Sequence, residues 1–330
     1  MSIIEYKMIT INIFLSIIIL GVIIMLIVNP RTKKITRVSV SKAKAIKSQR
    51  VKKAIKAIEK FTGKVLNAVN RGEIETCNKI LVENENDCNC FVDIKREFPD
   101  LNIPRCMRER NTKKCQDYNK CKKKFMNFMS KSEPNYDPDS WSSPIIEGSH
   151  NCYTYFLNDH IPGTMNKCRK LCKVENNCRQ KTKSCGNLKP QPGKYAGNKP
   201  GKEQYKNRKY TCPDMQEKVL MDNFNDDLNS SVVHPVPFHV PCPKHHYKGA
   251  LVVDPGNTYH FYRQDNNVRW SHKQGTLRVE NVDASGKAIY APHLSDMNYN
   301  KENKNNGINY TRFCNYMCIP NNDYLETHAI

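Results

Sequence analysis

ALVVDPGNTYHFYRQDNNVRWSHKQGTLRVENVDASGKAIY, residues 250–290, is the stretch that decides the fold class. Its β-branched and aromatic runs read as strands at Ala250–Val253, Thr258–Gln264, Val268–Lys273, Thr276–Val279 and Ala288–Tyr290. Between them, Asp254-Pro255-Gly256-Asn257, Asp265-Asn266-Asn267 and Asp283-Ala284-Ser285-Gly286 carry turn chemistry. Short strands joined by tight turns make an antiparallel meander. Upstream, a short helix is expected after Asn151, so the segment 145–330 reads as an α+β domain. Cys314-Asn315-Tyr316-Met317-Cys318 is expected to add a stapled last strand.

The meander carries two histidines at a telling spacing. If Asp265-Asn266-Asn267 forms a three-residue hairpin loop, His260 and His272 face each other across the two strands on one side of the sheet. A two-residue loop sends His272 to the other side instead. Paired imidazoles are suited to a general base and the group that orients it. Alternatively, each is a half-buried strand residue. At the upstream helix, Asn151 is a suitable N-cap, which places Cys152 in the first turn. Unpaired backbone N–H groups and the helix dipole there favour a thiolate, and the same N–H groups suit an oxyanion. The competing expectation is that Cys152 is half of a disulfide.

Working outward, Ser130–Ser143 is a polar, proline-containing boundary, and the cysteine-rich stretch 76–144 before it reads as a disulfide-pinned subdomain. Residues 31–60 hold twelve Lys/Arg and one acid, about half of the chain's net charge of +21. Apolar residues at Val51, Ala54, Ile55, Ile58, Phe61, Val65, Leu66 and Val69 give 31–75 a helical period with a basic opposite face. Such a segment suits an anionic membrane surface, a nucleic-acid arm or a solvated linker. No nucleic-acid fold signature accompanies it, so no specific nucleic-acid partner is expected. Ile9–Val28 is twenty residues without a charge, long enough to cross a lipid bilayer once. No small-residue cleavage site follows, so residues 1–30 are read as an uncleaved anchor rather than a signal peptide.

Fifteen cysteines are spread from Cys77 to Cys318. That density implies disulfides, and the odd count leaves a thiol over. Zinc is the rival, with Cys168, Cys172, Cys178 and Cys185 in one run and His245-His246 beside Cys242. No C-x2-C pair occurs, however, so no metal or other cofactor is expected. Disulfides and the positive-inside rule disagree on sidedness, because the basic collar places the cysteines in the reducing compartment.

The motifs Asn-Cys-Tyr-x-Tyr at 151–155, Pro-Gln-Pro-Gly at 190–193, His-Phe-Tyr-Arg-Gln-Asp at 260–265, Trp-Ser-His-Lys at 270–273 and Asp-Ala-Ser-Gly-Lys at 283–287 stand in one order. This order resembles a group of bacterial, phage and viral proteins and is similar in layout to papain-like hydrolases of the NlpC/P60 type. The resemblance covers about residues 145 to 320. It implies a papain-like helix plus antiparallel sheet, with Cys152 as nucleophile, His260 as base and His272 as orienting residue, acting on a peptide or amide bond. The aromatics after Cys152 depart from the Asp-Cys-Ser/Gly context of that type. A Lys/Asn/Ile-rich vocabulary and membrane-anchored, disulfide-bonded make-up also resemble virion membrane proteins of giant amoeba-infecting viruses. That likeness implies a virion or host internal membrane, and equally allows a non-enzymatic structural role.

Overall fold

The computed structural model describes residues 71–89, 111–174, 183–194, 210–225, 228, 230–300 and 307–321. Ile9–Val28, the basic run 31–60 and Cys90, Cys106 and Cys178 lie outside the described residues. Among the described residues no helix is long and apolar enough to cross a membrane.

The helices are α1 (Arg71–Cys88), α2 (Lys113–Met126), α3 (Pro138–Trp141), α4 (Pro144–Ser149), α5 (Cys152–Phe156), α6 (Pro162–Val174), α7 (Lys183–Gly186) and α8 (Cys212–Asp222). The strands are β1 (Phe224–Asn225), β2 (Ser230–Ser231), β3 (His234–Val236), β4 (His246–Asp254), β5 (Thr258–Gln264), β6 (Trp270–Lys273), β7 (Val279–Glu280) and β8 (Arg312–Pro320). β1 and β2 form a small hairpin, and the other six build one sheet in the order β3-β8-β4-β5-β6-β7. All its pairings are antiparallel. The fold class is α+β.

Side-chain alternation along the strands separates two cores. Ala250, Val252, Tyr262, Trp270, Tyr316 and Cys318 face the α1–α2 hairpin. Leu251, Val253, Phe261, Met317 and Ile319 face α5 and α8. α1 buries Ile74, Cys77, Asn78, Leu81, Glu85 and Cys88 at three- and four-residue spacings, which places them on one stripe. Cys77–Cys121 and Cys88–Cys115 bolt that stripe to α2. The expected boundary between residues 75 and 76 therefore falls inside α1. Within 76–144, α1 and α2 pack in one core cluster with the sheet.

The last strand is stapled as expected, but it lies inside the sheet, between β3 and β4. Cys212–Cys314 and Cys242–Cys318 fasten it to α8 and to the segment before β4. A bulge opposite Leu251/Val252 turns Cys314 out of the ladder, where it meets Cys212. At Gly249 an added Cβ would collide with the Phe156 ring and with Ile319, so glycine there lets α5 lie directly on β4.

The β5–β6 register differs from expectation. Tyr262 rather than His260 lies opposite His272, and the ladder closes at Gln264↔Trp270. The loop therefore runs from Asp265 to Arg269, closed by Asp265 N–H to Arg269 O at 2.9 Å. Its geometry is imposed from outside the hairpin: Asn266 N–H donates to Pro134 O at 3.0 Å, and Val268 adopts a left-handed φ of 77°. Since the slip is two residues, it preserves the face, and His260 and His272 remain diagonal neighbours.

Candidate functional site

Cys152 opens α5, as the N-cap reading requires. Asn151 Oδ1 accepts from Tyr153 N–H at 3.1 Å and Thr154 N–H at 3.2 Å, while Thr154 Oγ1 accepts from Asn151 N–H at 3.0 Å. This reciprocal capping box satisfies the first-turn donors. Asn151 Nδ2 also donates to Pro190 O at 2.7 Å. The Pro190-Gln191-Pro192-Gly193 turn is thereby bound to the start of α5. Gly193, at φ 92°, donates its N–H to Asp222 Oδ2 at 2.7 Å, and the Tyr153 hydroxyl donates to the same oxygen at 2.9 Å.

Cys152 takes no part in the described disulfides and carries a buried thiol. Its pKa is not lowered, in contrast to the expectation from its helical position. Burial pushes it up to about 12, opposed by N–H donation from Phe261 and by the Lys273 charge. Helix α5 has five residues and its first-turn donors serve Asn151, so little positive end is left to stabilise a thiolate. For the same reason Tyr153 and Thr154 N–H are not available as oxyanion donors.

The position of the sulfur is set by the sheet. β6 leaves the β5 ladder after Tyr262↔His272, and Lys273 pairs onward with Val279 of β7. Beyond that point the Phe261 amide acts on the Cys152 thiol, and both residues lie in the core that faces α5 and α8. His260 precedes Phe261 on β5, so alternation turns its side chain to the other face of the sheet. Tyr310 stacks its ring on His260 with centroids 5.2 Å apart, and its hydroxyl is held well above the usual phenol range by burial and, after that, by Cys152.

His260 Nε2 and His272 Nδ1 are 3.0 Å apart, and His272 Nε2 lies 3.0 Å from Val282 O. Both rings are buried. Burial, with His272 beside it, holds His260 well below the usual imidazole range. Burial takes His272 down to about 4, opposed by the Val282 carbonyl and Asp283. These neutral rings have one consistent proton arrangement. A carbonyl only accepts, so His272 Nε2 carries the hydrogen and its Nδ1 accepts from His260 Nε2–H. His260 Nδ1 is then a bare lone pair. This tautomer follows from the heavy-atom geometry.

Buried neutral imidazoles make the fold acid-sensitive. His150, His272 and His293 are held at about 3, about 4 and about 4, each chiefly by burial and each below the ordinary 6.5. Between those values the unfolded chain binds more protons than the native one, so stability falls as pH drops below 6.5. Asp265, pushed up to about 6 by burial, works in the opposite sense. Urea unfolding at pH 7 and near pH 4.5 is expected to show a net loss of several kcal/mol on acidification. An unchanged midpoint would contradict the buried, neutral assignment.

Sequence inspection overlooked three further residues around the site. Arg263 is fully buried beneath α5, with Nη1 donating to Asn158 Oδ1 at 2.8 Å and its guanidinium 4.0 Å from the Tyr155 ring centroid. Tyr310 stacks on His260 from a segment just before β8. Lys273, the last residue of Trp-Ser-His-Lys, is buried beside the α4–α5 junction. An arginine and a lysine inside strand patterns that bury both faces were the available signal.

The sulfur-rich run holds a cross-link. Cys168 and Cys185 are disulfide-bonded, with Cys172 sulfur close by. Two of those three sulfurs are thus not thiolates, and the Cys242 of the His245-His246 neighbourhood is bonded to Cys318. Among the described residues these sulfurs are therefore engaged chiefly in cross-links; Cys178 of the run lies outside them.

No family model and no solved structure matches this chain. Over 47 residues it is 55% identical to insoluble matrix shell protein 1 of Ruditapes philippinarum. That match takes in 14% of this chain and 32% of the shell protein. The chain thus spans about a third of that relative's length. The described residues of this chain form a disulfide-rich α+β domain.

Proposed function

We propose that the domain is a cysteine hydrolase of papain-like layout that cleaves a peptide or amide bond, with Cys152 as nucleophile, His260 as base and His272 orienting it. The observation that carries this is the chain Val282 O, His272, His260, which leaves an unprotonated Nδ1 on the residue that precedes Phe261, a neighbour of Cys152 in the α5–α8 core. In papain-type chemistry the base needs that arrangement: one nitrogen fixed by a neighbour, the other open to the thiol.

In this reading the resting pair is neutral thiol and neutral imidazole. As the sulfur attacks a substrate carbonyl carbon, its proton passes to His260 Nδ1 and a C–S bond forms. Collapse of the tetrahedral adduct breaks the C–N bond, and the proton on Nδ1 goes to the departing amine. Water then cleaves the thioester, giving one proton to Nδ1, which returns it to the sulfur. His272 accepts the His260 Nε2–H bond throughout and keeps the base from rotating.

The uncharged span Ile9–Val28 and the basic residues 31–60 support a domain tethered to an anionic bilayer, in a virion or host internal membrane. A second reading, a non-enzymatic cross-linked structural protein, is favoured by the strongly raised Cys152 pKa and by the shell-protein likeness. Five described disulfides serve either role.

Incubating the native chain with small activated acyl esters and digesting it for mass spectrometry separates the two readings. The expected result is a thioester at Cys152 that forms and then hydrolyses, and that is absent from His260→Ala. Acylation confined to surface lysines, with Cys152 unmodified, overturns the hydrolase and leaves the structural protein.

A further inference from the structure

Lys273 follows His272 on β6, so strand alternation sends its side chain to the opposite face, toward α4 and α5. Its ammonium is buried, and its three N–H donors are shared among four carbonyl oxygens: Gly275 at 2.8 Å, Leu277 at 3.0 Å, His150 at 3.2 Å and, most distant, Glu147 at 3.5 Å. Glu147 lies in α4, and His150 is the residue that joins it to the Asn151 cap of α5. The first two carbonyls belong to the turn after β6. One cation therefore fastens the turn that presents Cys152 to the end of the strand that carries His272.

We propose that Lys273 is the positioning residue of the Cys152 site, fixing the α4–α5 junction against β6 and placing its ammonium where it opposes the negative charge that develops on the sulfur. The proposal rests on the reading of Cys152 as the reacting group. A buried ammonium held by neutral carbonyls keeps its charge undiluted by water, and its field falls on the nearest ionisable group. The other titratable groups that act on that sulfur are Lys189, from the loop after α7, Tyr310, from the segment before β8, and, in the hydrolase reading, His260 of β5. His150 donates Nδ1–H to Ser149 Oγ, whose own hydrogen goes to Ile145 O, so this neutral ring adds no charge. Of the two lysines that draw the Cys152 pKa down against burial, Lys273 acts more strongly than Lys189.

The test is alkylation of Cys152 in the native full chain by iodoacetamide, quantified by mass spectrometry across pH, with iodoacetate run in parallel. In Lys273→Met, the iodoacetamide rate at about pH 9 is expected to fall about tenfold, the equivalent of one unit of thiol pKa. Lys273→Arg, which keeps the charge, is expected to retain most of the rate. A Lys273→Met protein with native near-UV dichroism and wild-type kinetics overturns the proposal. If that variant does not fold, the wild-type protein decides. A ratio of iodoacetate to iodoacetamide rates at Cys152 no higher than that of N-acetylcysteine also overturns it, as does a Cys152 inert to both reagents until denatured. Kinetics that follow Lys273 without any acyl-enzyme leave this assignment standing and remove only the hydrolase.

Discussion

Arg263→Met is expected to be the most destabilising single substitution in the domain, costing about 3–5 kcal/mol. Arg263 and Asp265 are both 1% exposed, with Nη2 3.1 Å and Nε 3.2 Å from Asp265 Oδ1. The same guanidinium donates to Asn135 O at 2.9 Å and to Asn158 Oδ1 at 2.8 Å. It thus joins the segment before α3, the turn after α5 and the β5–β6 loop. Removing it abandons a carboxylate in the interior, where burial already pushes that group up to about 6. Two results are expected in urea titrations. Arg263→Met lowers the midpoint sharply, and adding Asp265→Leu recovers part of the loss, because no lone charge is then buried. A single substitution that costs under about 1 kcal/mol would show that water or a local rearrangement reaches the pair.

The second large effect is on chemistry. His272→Leu is expected to slow acylation of Cys152 by activated esters by roughly 10²–10⁴, the range associated with a general base and its tautomer. Leucine accepts nothing from His260 Nε2–H, so the buried ring is free to turn and to carry its hydrogen on Nδ1 instead. His272→Gln is the informative partner. Its carbonyl oxygen accepts from His260 and its amide donates to Val282 O, the two bonds that His272 makes. The glutamine variant is therefore expected to keep most of the rate. Equal rates for leucine and wild type would mean that the two histidines only fill the core.

Much of the site's local chemistry was legible in the sequence because it depends on neighbours along the chain. Asn151 followed by Thr154 is a capping box within four residues, so the helix start at Cys152 needed no distant partner. Alternation along 258–264 placed His260 and Tyr262 on one face, and turn residues bounded the strands. The two-histidine face survived an incorrect loop length for a simple reason: a slip of two residues is one full period of a strand. Charge state was less accessible. The first-turn argument lowers the Cys152 pKa, but the thiol is closed in by Tyr153, Phe261 and other residues of the α5–α8 core, and desolvation outweighs one turn of helix.

By itself the sequence determined an α+β chain dense in disulfides and the helix that begins at Cys152, and it offered a face shared by His260 and His272 that depended on loop length, all consequences of period and capping. Tertiary structure alone decided which cysteines pair, as for Cys212 with Cys314 across 102 residues, and that the final strand enters the sheet between β3 and β4. It also decided that an arginine, a lysine and two imidazoles are held out of water. Those outcomes depend on which distant segments displace solvent from one another, and no local pattern of residue types encodes that.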